Sequence, residues 1–221
     1  MKGIFITGTD TGVGKTLVAR TIIHVMRRQY DKVGVMKPVA SGAVFQNGLL
    51  QNDDAMQLQK ACNVPLPYAL INPYCFSPAI APHIAAELEG VVIDIKHIQT
   101  CFTNIAHQVD VVVVEGAGGW LAPINEQATI ETLAQALSIP VVLVVGLRLG
   151  CLNHALLTMN AMYRSGVSVL GWVGNIIDPE FQYLEKNIST LKQRIAAPCL
   201  GVLPFSENPD IETLAQHLQF N

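Results

Sequence analysis

Along the chain, short runs of β-branched residues alternate with longer stretches in which apolar positions recur at helical spacing. Runs at residues 2–7, 32–36, 109–114, 140–145, 167–177 and 199–203 predict strands. Those at 109–114 and 140–145 are almost continuously apolar, the pattern of parallel strands covered on both faces. Residues 15–28 predict a helix with Val18, Ile22, Ile23 and Met26 on one face, and helices are also expected near 153–165 and 180–195. From 40 to 82, Gly, Asn and Pro interrupt the pattern around one short helix near 54–62. Long irregular segments of this kind often carry function. The alternation predicts an α/β fold of three layers, a mostly parallel central sheet with helices on both faces. No repeat, linker or low-complexity tract divides the chain, so one domain spanning 1–221 is expected.

Composition narrows the function classes. Half of the 221 residues are apolar and 14% are charged, as in a folded globular chain. A net charge of −3 provides no broad basic field, which argues against nucleic acid as a partner. No apolar run approaches the ~20 residues of a membrane span, and residues 3–6 are too few for a signal-peptide core. The five cysteines, at 62, 75, 101, 151 and 199, form no Cys-x-x-Cys pair; reduced thiols in a cytoplasmic protein are expected. The six histidines show no zinc-ligand spacing.

Gly8-Thr-Asp-Thr-Gly-Val-Gly-Lys-Thr16 lies directly after a predicted strand and before a predicted helix. A glycine-rich turn in that setting aims backbone N–H groups and a helix N-terminus at an anion, as in P-loop nucleotide-binding folds. Lys15 can then reach terminal phosphates, and Thr16 can place its hydroxyl on magnesium. The competing reading is an ordinary strand-to-helix turn that contains a lysine. Five residues separate Gly8 from Gly14, one more than the usual four.

Glu115 closes the apolar run at 109–114, so its carboxylate falls at the carboxyl edge of a central strand, where open α/β sheets bind ligands. Gly116, Ala117, Gly118 and Gly119 follow and permit close backbone approach. Asp53 and Asp54 stand at the start of a helical stretch after Asn52, where capping is the simpler explanation. Lys37 ends the second strand beside Pro38, with Ser41 close behind. Taken alone it reads as a solvated strand-end lysine, but with Lys15 it puts two ammonium groups where a phosphoryl group would transfer.

Together these motifs resemble the dethiobiotin synthetase family across nearly the whole chain. The phosphate loop, Lys37-Pro-Val-Ala-Ser-Gly42, Glu115-Gly-Ala-Gly-Gly119, Leu149-Gly-Cys-Leu-Asn-His154 and Gly174-Asn175 occur in that family's order and spacing. The resemblance implies a ligase that converts 7,8-diaminononanoate, carbon dioxide and ATP into dethiobiotin, ADP and phosphate in biotin synthesis. One amine captures carbon dioxide as a carbamate, ATP phosphorylates it, and the neighbouring amine displaces phosphate. By the same resemblance, Lys37 stabilises the carbamate and Lys15 the nucleotide. Thr16, Asp54 and Glu115 hold Mg2+, while Gly12, Val13, Gly14, Gly116, Ala117 and Gly118 border the nucleotide. Asn175 and Pro204 meet the base. Thr11 and Ser41 touch substrate, and Gly150, Cys151, Leu152 and Asn153 receive its tail across a homodimer interface.

Two positions depart from the family pattern: Gly12 replaces an acidic residue found in some relatives, and 205–211 has no clear match at the adenine edge. A nucleotide-switch ATPase of the partition or metal-insertion type is the rival reading. Such proteins often carry an early loop lysine, which positions 9 to 13 lack. A cobyrinate-type amide ligase is a second rival, but 221 residues leave little room for a glutaminase.

Overall fold

The computed structural model describes residues 3–46 and 48–220. In chain order the strands are β1 (Gly3–Gly8), β2 (Val33–Met36), β3 (Val39–Ala40), β4 (Val44–Gln46), β5 (Leu49–Gln51), β6 (Tyr74–Cys75), β7 (Val111–Gly119), β8 (Val141–Leu147), β9 (Val169–Ile176) and β10 (Cys199–Leu203). The helices are α1 (Lys15–Met26), α2 (Asp53–Ala61), α3 (Tyr68–Ile71), α4 (Pro82–Leu88), α5 (Ile95–Ala106), α6 (Ile130–Leu137), α7 (Cys151–Arg164), α8 (Leu184–Arg194) and α9 (Ile211–Ala215).

Six strands form one sheet in the order β10-β9-β8-β1-β7-β2, and every pairing in it is parallel. Parallel strands need crossovers, and the helices supply them on both faces. Ile4 faces the side of Met26 in α1. The next residue, Phe5, points the other way, and a Cβ added at Gly116 would meet both its ring and Ile130 of α6. All seven residues of β8 and Val111–Val114 of β7 are buried, as the continuous apolar runs predict.

The expected strands and helices are present within a few residues; Lys2 lies outside the described residues. Strand β7 continues past its expected end through Glu115 to Gly119, because Gly8 still pairs with Gly119 beyond an irregularity in the β1 register. The 40–82 segment contains two small ladders, parallel β3–β6 and antiparallel β4–β5. Helix α5, unassigned from the sequence, shows a readable signal: Ile98, Cys101, Phe102 and Ile105 recur at helical spacing and are all buried. Among the described residues no helix is long and apolar enough to cross a membrane.

The register places the site. Ile6 pairs with Glu115, and Met36 pairs with Val114, so Lys37 arrives one step further along, level with Glu115. Phe5, fully buried, supports the backbone just after that carboxylate. Phe5→Ala is expected to cost about 3–5 kcal/mol, read as a lower denaturant midpoint at unchanged slope.

Candidate active site

Strand β1 ends at Gly8, and the loop to α1 turns through two left-handed glycines, Gly12 at φ 75° and Gly14 at φ 86°. At Gly14 a side chain is excluded twice, because a Cβ would also collide with the Asn175 amide. Asn175, buried near the end of β9, donates its amide nitrogen to Val13 O at 3.0 Å and so holds the loop from behind. No side chain caps α1 and no acid occupies its first turn. Its leading N–H groups and positive dipole end are therefore available to an anion. Lys15 Nζ meanwhile donates back to Asp10 O at 2.9 Å. Burial, reinforced by the like charge of Lys37, lowers the Lys15 pKa to about 8.

Above the loop, charges from three elements converge. Lys37 is 3% exposed, and its Nζ meets Glu115 Oε1 at 2.6 Å, Asp54 Oδ2 at 3.1 Å and Gly116 O at 3.2 Å. An ammonium has three protons, so the three oxygens match its capacity. Burial works against the Lys37 charge, but Glu115 and Asp54 more than offset it and hold the pKa above the ordinary value. Burial pushes Glu115 up, with Asp54 adding to it and Lys37 opposing. Burial also pushes Asp54 up, yet Lys37 and Thr16 outweigh it and hold that carboxyl below its ordinary value.

Thr16 Oγ1 lies 2.7 Å from Asp54 Oδ1 and 2.9 Å from Glu115 Oε1. The hydroxyl has one proton and cannot satisfy both, and Glu115 Oε2 is buried without a partner. Two carboxylates and a hydroxyl with spare lone pairs suit a small hard cation that keeps waters and shares phosphate oxygens. Among the described residues no group of three or more His, Cys, Asp or Glu gathers, so a dedicated protein-only metal cage is absent.

These groups open onto a cleft of about 1060 Å³. Of the candidate site residues, Thr11, Gly12, Gly14, Lys15, Thr16, Lys37, Ser41, Asp54, Glu115, Ala117 and Gly118 line it. Val13 and Gly116 are buried behind its wall. Pro204 follows β10 at the same sheet edge as Asn175, and neither lines the cleft. Gly150, Cys151, Leu152 and Asn153 also fall outside it: Gly150 turns left-handed into α7, which reaches the cleft further along with Leu157, Thr158 and Ala161.

Sequence reasoning missed the supports. Asn52 caps α2 by accepting from Ala55 N, and its amide donates to Ser41 O, tying Asp54 to the segment after β3. Asn72 donates to Lys37 O at 2.7 Å and accepts from Tyr68, whose hydroxyl also receives Asn52 N. Arg148, just after β8, pairs with Asp10 at 3.0 Å and steadies the loop's outer turn. Only Asn52, one residue before the acidic pair, carried a local signal, as a helix cap.

Lowering Lys15 from 10.5 to about 8 corresponds to a folding penalty of about 3 kcal/mol. Below pH 8 both folded and unfolded chains hold the proton, and the folded state carries the full penalty. As pH rises from about 8 to 10.5 the folded chain sheds its proton first, and the penalty fades. Lys15→Met is therefore expected to be more stable than the parent by roughly 1–3 kcal/mol at neutral pH, converging with it near pH 10. Urea titrations of both proteins across that range measure the difference.

A family model described as an AAA domain matches residues 2–213. Solved structures share the fold at low identity. The MinD–MinC cell division complex of Aquifex aeolicus superposes with TM-score 0.58 and 16% identity, covering 97% of this chain and 85% of that one. A ParA family ATPase of Chlorobium tepidum gives TM-score 0.56 and 15% identity over 93% of this chain and 85% of its own. Full-length relatives are far more similar in sequence. The ATP-dependent dethiobiotin synthetase of Xanthomonas campestris pv. campestris is 46% identical over 97% of this chain and 96% of its own. The enzyme of the same name from Pseudomonas aeruginosa is 43% identical over 99% and 96%. Since 42–46% identity extends over nearly the whole length while the MinD complex and the ParA family ATPase share only the fold, the chain belongs to the ATP-dependent dethiobiotin synthetase family.

Proposed function

We propose that the cleft closes the cyclic urea of dethiobiotin from 7,8-diaminononanoate, carbon dioxide and ATP, as a ligase of biotin biosynthesis acting through one domain. The observation that carries this reading is the meeting of Lys15, Lys37, Asp54 and Glu115 at the head of the phosphate loop in a chain of this family.

A substrate amine adds to carbon dioxide with loss of a proton and becomes a carbamate. The carbamate oxygen attacks the terminal phosphorus of ATP, ADP departs, and a carbamoyl phosphate forms. The second amine then attacks the carbonyl carbon and gives up a proton, phosphate leaves, and the ring closes. Phosphorylation is required because a carbamate oxygen is itself a very poor leaving group. Tethering the second amine makes closure intramolecular, worth ~7–11 kcal/mol when the geometry is right.

Lys37 stays protonated, so its role is that of a fixed positive charge beside the carbamate rather than a base. Lys15 and the free N–H groups of α1 hold the terminal phosphates, whose negative charge raises the lysine's pKa again. Thr16, Asp54 and Glu115 would hold Mg2+, which supplies charge neutralisation between the phosphates. Thr11 and Ser41 face the substrate side, and Asn175 with Pro204 lies toward the base. Lys37→Ala is expected to lower kcat by about 100-fold or more, with phosphate and dethiobiotin falling together. Loss of a buried pair costs about 3–5 kcal/mol, so Lys37→Gln is assayed beside it to keep the fold in view. Near-parental turnover in both variants removes Lys37 from the chemistry. Phosphate release that ignores the diamine identifies a nucleotide-switch ATPase instead.

A homodimer fits the same reading. Leu149 is 88% exposed beside Gly150, and Leu121 and Leu157 on the cleft wall are largely exposed too. Pairing across this face would bring Gly150, Cys151, Leu152 and Asn153 of one chain to the other's cleft, where an α7 N-terminus suits a carboxylate tail. Sedimentation should show a particle of twice 23.9 kDa. Leu149→Glu is expected to shift it to the monomer and raise the KM for the diamine.

A further inference from the structure

The later turns of α1 and α2, with Ile211 of α9, enclose a second cavity of about 430 Å³. Arg20, His24, Arg27 and Lys60 line it, and no acid does. The ion pairs among the described residues join Lys37 to Asp54 and Glu115 and Arg148 to Asp10, so none neutralises Arg20, Arg27 or Lys60. In a chain with 17 acids against 14 Lys and Arg, such a wall concentrates positive potential in one place.

The cations are held rather than compensated. Arg20 donates to Gln57 Oε1 at 2.9 Å, and the orientation of that amide is set by Gln57 Nε2 donating to Asp53 Oδ2 at 2.7 Å. Arg27 donates to the carbonyl of Ala61, the last residue of α2, at 3.3 Å. Each guanidinium has five N–H groups, of which these neutral contacts engage one. Arg28 lies 3.2 Å from His24 Nε2 and can only donate, which makes that nitrogen the acceptor. Asp210, just before Ile211, has its oxygens on Thr213 and on the N–H groups that open α9.

We propose that this cavity is a second anion site, distinct from the phosphate loop, for a small phosphate-rich molecule. Two guanidinium forks suit phosphate oxygens, Lys60 adds a third charge, and Ala61 and Ile211 offer an apolar rest for an uncharged portion. The inference rests on no assignment of the cleft's reaction. Helices α1 and α2 reach from this cavity to Thr16 and Asp54, so a bound anion sits on the elements that carry the cleft's charges.

The test is calorimetric titration of the full chain with tripolyphosphate at roughly physiological ionic strength, where a diffuse field is screened beyond about 8 Å. The Lys15→Met background weakens the phosphate loop's own contribution. One equivalent of tripolyphosphate is expected to bind in that background. Adding Arg27→Glu and Lys60→Glu, both exposed, should weaken it by about tenfold or more. Arg27→Gln serves as a milder second variant, and unfolding midpoints check that each is folded. Absence of binding in the Lys15→Met protein, or affinity indifferent to these substitutions, overturns the site. Citrate is titrated in parallel: weaker binding supports a phosphate ligand, and equal or tighter binding overturns that choice of anion.

Discussion

At one end of a hydrophobic sheet the fully buried Glu115 stands beside the half-exposed Asp54, and Lys37 is the group that makes these carboxylates tolerable there. Its ammonium lies against Glu115 and Asp54, with the Gly116 carbonyl taking its remaining proton. A buried pair is costly to assemble and more costly to break, since removing one partner strands the other without water. Even so, Glu115 keeps one oxygen unpaired, and Lys15 is pushed toward neutrality. The charges are therefore incompletely satisfied by the protein alone. Phosphates and a divalent cation have the opposite signs to the groups left in deficit, so the site is preorganised for ligands at the expense of its own stability.

The surrounding fold keeps that cluster from relaxing. Strands β1, β7 and β2 are hydrogen-bonded neighbours, so Lys37, Glu115 and the loop that leads to Lys15 issue from one sheet edge. Asp54 comes from outside the sheet and needs separate anchoring, which Asn52 provides as cap of α2 and as a bond to Ser41. Asn72 fixes the backbone of Lys37 in the same manner. Asn175 braces the loop through Val13 across the neighbouring strands. Amide side chains serve well here because each donates and accepts without adding to an already crowded charge balance.

The same two helices distribute charge along their lengths. Their first turns present Thr16 and Asp54 to the cleft, and their later turns present Arg20, Arg27 and Lys60 to the second cavity. Basic groups toward the C-terminal ends of α1 and α2 also complement the helix dipoles, while those same dipoles leave the start of α1 open to phosphate. Gln57, on the second cavity, is bonded one turn back along α2 to Asp53, the neighbour of Asp54.

Much of this organisation is legible in the sequence. The continuous valine runs, the glycine-rich turn before Lys15 and the carboxylate closing an apolar strand are local patterns, and local sterics and burial set their outcome. The parallel sheet followed from alternation, and the phosphate loop from its position between a strand and a helix. Other features depended on which distant segments meet. Asn72 and Tyr68 lie in an irregular stretch with no periodicity to reveal that they hold Lys37. Arg20, Arg27 and Lys60 read as solvated helix charges until the packing of α1 against α2 and α9 gathers them around one cavity. Short-range preference acts through a residue's immediate neighbours, whereas charge clusters form between segments tens of residues apart, and only the closed chain sets those distances.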